Sequence, residues 1–201
     1  MPDASVALER VVTFIDGAKA AGTQHVVIAR KLFSYDHPFA FEGNQEKAFE
    51  LFNKTANQFR VPINHIKAVG SAQLGYSFLK KTPFVTRRSD LDLAIIDPPL
   101  FQIYCEAGYR VTRGYTDLTA FPRRDGVDVP KAFYQSLARG FFRPDYMPIC
   151  TERETWFRFF NAMSRLHSNL FKTVNCGIYF SSSFFDAKQS LIVDQYLESK
   201  K

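Results

Sequence analysis

Two aspartates separated by a single leucine, Asp90 and Asp92 in the run Asp-Leu-Asp-Leu-Ala-Ile-Ile, are the residues of this chain best suited to chemistry. On a β-strand, residues two apart point to the same side, so the pair presents its carboxylates together. Paired carboxylates are hard oxygen ligands that suit Mg²⁺ or Mn²⁺. Twenty residues before Asp90, Gly70-Ser71 closes the short apolar run His65-Ile-Lys-Ala-Val69. A glycine at a strand end lets a phosphate approach the backbone N–H groups, and the serine adds a hydroxyl. Ser77 and Lys80 follow Gly70-Ser71 closely, and Arg88 lies just before the aspartates. Together these groups offer a metal and cations to a triphosphate. A metal so placed bridges phosphate oxygens and assists an attacking hydroxyl in line with a departing pyrophosphate.

The elements that must position these residues follow from periodicity and punctuation. Asp90–Ile96 alternates at its start and then becomes wholly apolar, as a central strand does, and Asp97-Pro98-Pro99 stops it. Strands are also expected over 66–69 and 172–180, and a short one over Val26–Ala29. Helices are expected over Ala4–Ala20, Gln45–Phe59, Leu100–Ala107, Lys131–Arg139, Thr151–His167 and Ser183–Leu197. Phe49, Phe52, Ala56 and Phe59 form one apolar stripe on the second of these helices. Gly108 reads as a C-cap, and Thr151 with Glu154 as a capping box. A further helix is expected to begin at Ala72 and reach towards Leu79. Ser34–Asn44 and the basic segment Lys80–Ser89 read as loops, and Arg113–Pro130 as turns. The fold class is therefore α/β: a small mixed sheet packed with helices. It forms one domain over 1–201, with a helical part over 1–60 and a sheet-bearing core over 61–201.

Composition narrows the classes. The chain has 201 residues, 46% of them apolar and 23% charged, which is globular usage and excludes wholesale disorder. No apolar run reaches the length a membrane-spanning helix needs, and the opening MPDASVALER lacks the pattern of a secretory signal. Cys105, Cys150 and Cys176 form neither a disulfide framework nor a zinc pattern, so the expected location is the cytoplasm. The net charge is +6, and between Lys80 and Arg124 eight basic residues face five acidic ones. Such a patch suits the phosphates of a nucleotide or nucleic acid.

The segment Val69–Ile96, with Gly70-Ser71, a spacer and then Asp90-x-Asp92 on the next strand, resembles the nucleotidyltransferase superfamily of DNA polymerase beta. The resemblance covers about 28 residues. It implies a nucleotidyltransferase-like fold, a nucleoside triphosphate substrate and Mg²⁺ or Mn²⁺ held by Asp90 and Asp92. It also implies transfer of a nucleoside monophosphate to a hydroxyl on an RNA, a protein or a small molecule. Gly70, Ser71, Ser77, Lys80 and Arg88 would serve the nucleotide. The family adds a third carboxylate on a later strand, as metal ligand and base. Two positions are open for it: Asp128, within Val-Asp-Val, and the 172–180 strand, where the facing position carries Asn175. With Asp128 recruited, the chain is an active transferase. Without it, the chain is an inactive relative that binds nucleotide, nucleic acid or a partner protein.

Overall fold

The computed structural model describes residues 4–200. The elements in chain order are α1 (Ala4–Ala20), α2 (His25–Arg30), α3 (Gln45–Phe59), β1 (Ile66–Val69), α4 (Ser71–Leu74), β2 (Tyr76–Ser77), β3 (Thr82–Pro83), β4 (Leu91–Ile96), α5 (Pro98–Val111), α6 (Val129–Ala138), β5 (Phe141–Phe142), α7 (Thr151–Leu166), β6 (Val174–Tyr179) and α8 (Ser182–Glu198). The main sheet has the order β1-β4-β6-β5, and β2 and β3 form a separate hairpin. β4 and β6 run parallel, while β1 and β5 flank them antiparallel. The α/β class expected from the sequence is the observed one. No described helix is long and apolar enough to cross a membrane.

Strand alternation divides the apolar residues between two cores. One face carries Ile66, Ala68, Leu91, Leu93, Ile95, Val174, Ile178 and Phe142. Against it pack α3, α5 and α7, through Leu51, Tyr104, Trp156 and Phe160 among others. The opposite face offers Ala94 and Tyr179 to α1, α2 and α8, through Val11, Ile28, Phe185 and Val193. The result is helices on both sides of a sheet whose central strands are parallel, the arrangement in which such strands are buried on both faces. Most of the buried phenylalanines serve the first core, where edge-on rings link Phe101, Phe133 and Tyr104 through Phe142 at 5.4–5.9 Å between centroids.

Several local expectations are corrected. Val26–Ala29 is not a strand: it lies inside α2, which runs on as a π-helical turn over Lys31–Tyr35. Short-range β-branched content cannot outweigh the core that Ile28 and Ala29 join from a helix. The helix after Gly70 stops at Leu74, because Gly75 adopts φ +79° and turns the chain into the β2–β3 hairpin. Gly108 lies within α5, which Thr112 ends. Cys150, not Thr151, occupies the N-cap of α7, and no side chain caps it. On α3 the buried set is Ala48, Leu51, Thr55 and Ala56, and Phe49 is exposed.

Two outcomes follow. Trp156 is buried between Phe59, Tyr104 and Phe160, at centroid distances of 4.7–5.3 Å. Trp156→Ala should cost about 3–5 kcal/mol in denaturant unfolding. His167 is buried, and its Nε2 has no partner among the described residues. Burial holds its pKa below the usual value, with the Glu50 charge opposing and Lys54 and Lys47 reinforcing. The unfolded chain therefore takes up a proton that the folded chain resists, and stability falls as pH drops below about 6.5. Thermal melts across that range should show a shallower loss in His167→Gln than in the parent.

Candidate functional site

Gly70, Asp90, Asp92 and Asn175 come together at one end of the central strands. β1 and β4 pair with Val69 opposite Asp92, so the turn that leaves β1 lies beside the start of β4. Gly70 holds φ +64° and ψ −145°, a region open in practice only to glycine. A Cβ built there would stand 3.7 Å from Asp92 Oδ2. The Gly-Ser turn thus borders the carboxylate across bare backbone. Gly75, the second glycine of the segment, is structural: a Cβ there would stand 2.6 Å from that of Ala7 on α1.

Asp92 sits on β4, and Asp90 immediately precedes that strand. The parallel ladder brackets Asp90, with Lys172 N–H donating to Ser89 O and Leu91 N–H to Thr173 O. The register then sets Asn175 of β6 opposite Asp92. Asn175 Nδ2 donates to Asp92 Oδ1 at 3.3 Å and to Thr173 Oγ1 at 3.1 Å, and Thr173 Oγ1 donates to Asp90 Oδ1 at 2.7 Å. A chain of hydrogen bonds therefore joins the two aspartates through the neighbouring strand. Asn175 is where the sequence leads one to expect it, whereas Thr173 carries no sequence signal because its role depends on strand register alone.

The electrostatics are those of a strained anion site. Asp92 reaches solvent but is recessed among protein atoms, and this desolvation pushes its pKa up. The Asn175 hydrogen bond opposes the shift, the Asp90 charge adds to it, and the Lys80 and Arg143 charges oppose it. Arg143 follows β5 and is held by Asp145 through two hydrogen bonds of 3.1 and 2.8 Å. Lys188 of α8 lies over the Phe141 ring at 4.9 Å, its pKa lowered by burial and by the Arg143 and Arg139 charges. No sequence pattern joins Arg143 to the motif, since only the fold brings its charge near Asp92.

The remaining candidates are distributed as follows. Ser77 Oγ accepts from the Lys80 N–H at 3.2 Å and so tightens the β2–β3 turn. Lys80 is exposed on that turn. Arg88 is exposed in the turn before β4, which closes with Ser89 Oγ accepting from Val85 N–H at 2.9 Å. Asp128 caps α6 by accepting from Lys131 N–H at 3.1 Å and is exposed. Among the described residues no third His, Cys, Asp or Glu gathers with Asp90 and Asp92 into a metal-binding group. No family model, curated protein or solved structure matches the chain. The functional reading therefore rests on these residues and their placement. Two carboxylates fit Mg²⁺ when phosphate oxygens complete its shell, because Mg²⁺ keeps several waters and needs only one or two protein carboxylates.

Two variants test this geometry. The folded state holds the Asp92 proton more tightly than the unfolded chain, so its contribution to stability is full below pH ~3.9 and is lost as pH rises through the folded value. At neutral pH the ionised carboxylate weakens the fold, and Asp92→Asn should raise the melting temperature. Gly70→Ala should instead lower stability by about 1–3 kcal/mol in urea unfolding, because alanine must adopt the strained backbone.

Proposed function

We propose that this chain is a nucleotidyltransferase-like domain that binds a nucleoside triphosphate with Mg²⁺ or Mn²⁺ but lacks the base needed for fast transfer. One observation carries the reading: the residue in register with Asp92 on the adjoining parallel strand is Asn175, and its amide donates to the Asp92 carboxylate. An amide cannot accept a proton from a hydroxyl, so it cannot replace a carboxylate as general base. Asp90 and Asp92 would hold the metal, which supplies charge neutralisation at the phosphates when bound. The Gly70-Ser71 turn offers backbone N–H groups and a hydroxyl to the phosphates, and Lys80 and Arg143 add positive charge beside Asp92. The reaction this site would perform is attack of an acceptor hydroxyl oxygen on the α-phosphorus. The P–O bond to pyrophosphate breaks, and the hydroxyl proton passes to solvent. An RNA end or a protein side chain would be the acceptor. The three cysteines are free thiols, in keeping with a cytoplasmic setting.

Calorimetry with each NTP, with and without Mg²⁺ or Mn²⁺, should show saturable binding that requires the cation and is lost in Asp92→Asn. Incubation with α-labelled NTP and cellular RNA or protein should show little transfer by the parent and more by Asn175→Asp. Absence of NTP binding would overturn the proposal. So would rapid transfer by the parent that Asn175→Asp leaves unchanged.

A further inference from the structure

We infer that the opposite edge of the sheet holds a second site, shaped for a small phosphate-bearing anion. The parallel strands β4 and β6 end at Ile96 and Tyr179. From there α5 joins the core on one face of the sheet and α8 the core on the other. In open α/β sheets this divergence opens a crevice at the carboxyl ends of the strands, where ligands bind. A cavity of about 640 Å³ lies there, bordered by Ile96 and Pro98 on one side and by Ser181 and Ser182 on the other. Its size is that of a small-molecule site. β1 runs antiparallel to β4, so its amino end brings Asn64, His65 and Lys67 to the same rim. The π-helical turn after α2 contributes Ser34 and Tyr35. Such turns recur beside functional sites. Asp92 stands four residues before Ile96 on β4, about 13 Å away along the strand, so this is a separate place.

The lining is polar and its donors are unspent. The side chains of Ser34, Asn64, Lys67, Ser181 and Ser182 have no hydrogen-bond or ion-pair partner among the described residues. The one carboxylate in the lining, Asp186, is buried and already neutralised by Arg30, whose Nε donates to it at 2.7 Å. His65 Nδ1 lies 3.1 Å from Asp97, which also accepts from Leu100 N–H at the start of α5. Each acid nearby thus has a basic partner, and the Lys67 ammonium has none. An uncompensated cation among free hydroxyl and amide donors matches a phosphate group, which accepts several hydrogen bonds and carries the opposite charge. The exposed Tyr35 ring offers an apolar surface to whatever organic group the phosphate carries.

The test titrates the intact chain with inorganic phosphate in metal-free buffer at constant ionic strength, followed by ¹H–¹⁵N spectra. Saturable shifts should appear at the Ser34, Asn64, Lys67, Ser181 and Ser182 amides. Affinity should fall about tenfold in Lys67→Gln, the loss expected from one charge-assisted hydrogen bond. Asn64→Asp, at an exposed position, should weaken binding similarly by adding like charge. In Asp92→Asn the shifts should persist, which separates this site from the nucleotide reading. Non-saturating shifts, shifts centred on Gly70 and Ser71 instead, or undiminished binding in both Lys67→Gln and Asn64→Asp would overturn the inference.

Discussion

The parallel pairing of β4 with β6 is the constraint on which the rest of this structure depends. Leu91 to Ile96 lie in register with Val174 to Tyr179 through the centre of the sheet. A parallel pair needs a long crossover, and here α5, α6 and α7 supply it, with β5 joining the sheet edge between α6 and α7. α8 then returns over the face opposite α5 and α7. The same register places Asn175 rather than a carboxylate next to Asp92. A shift by one residue would turn Asp92 and Asn175 to opposite faces and send the apolar residues of β6 into the wrong core.

Placing two acids at the end of a buried sheet has a cost that the molecule only partly offsets. Asp92 gains one amide donor and the opposing charges of Lys80 and Arg143, yet desolvation and the charge of Asp90 still prevail. Thr173 donates to Asp90 and accepts from Asn175, so the neighbouring strand holds both acids in place. A recessed carboxylate whose ionised form costs the fold, as Asp92 is, marks a candidate functional site. A cation beside the pair would remove their mutual repulsion.

Much of this was legible in the sequence because the signals are local. The Asp-x-Asp run, its apolar continuation and the Pro-Pro stop specify a buried strand with two acids at its start. Gly70 is legible because only glycine tolerates its backbone. The strand that carries Asn175 could be chosen because few other segments alternate. Two of the misreadings share one cause, which is tertiary context overriding local preference. Val26–Ala29 looks like a strand until α8 and α1 are present to bury it as a helix. Phe49 fits an apolar stripe, yet it alone of that stripe faces solvent, while Phe52, Ala56 and Phe59 meet the core. Thr173 and Arg143 carry no sequence signal, since each joins the site through pairing or packing between segments far apart in the chain.

The two ends of β4 thus divide the molecule's polar surface into an acidic end, bordered by bare glycine backbone, and a basic cavity at the other end. The acidic end is where we propose that a metal–nucleotide complex binds. The most direct measurement is a crystal structure of the chain soaked with Mn²⁺ and a non-hydrolysable NTP, with anomalous data. An anomalous peak should bridge Asp90, Asp92 and the triphosphate, with the phosphates against Gly70 and Ser71. A nucleotide bound elsewhere, or no peak between the two aspartates under saturating ligand, would contradict the proposal.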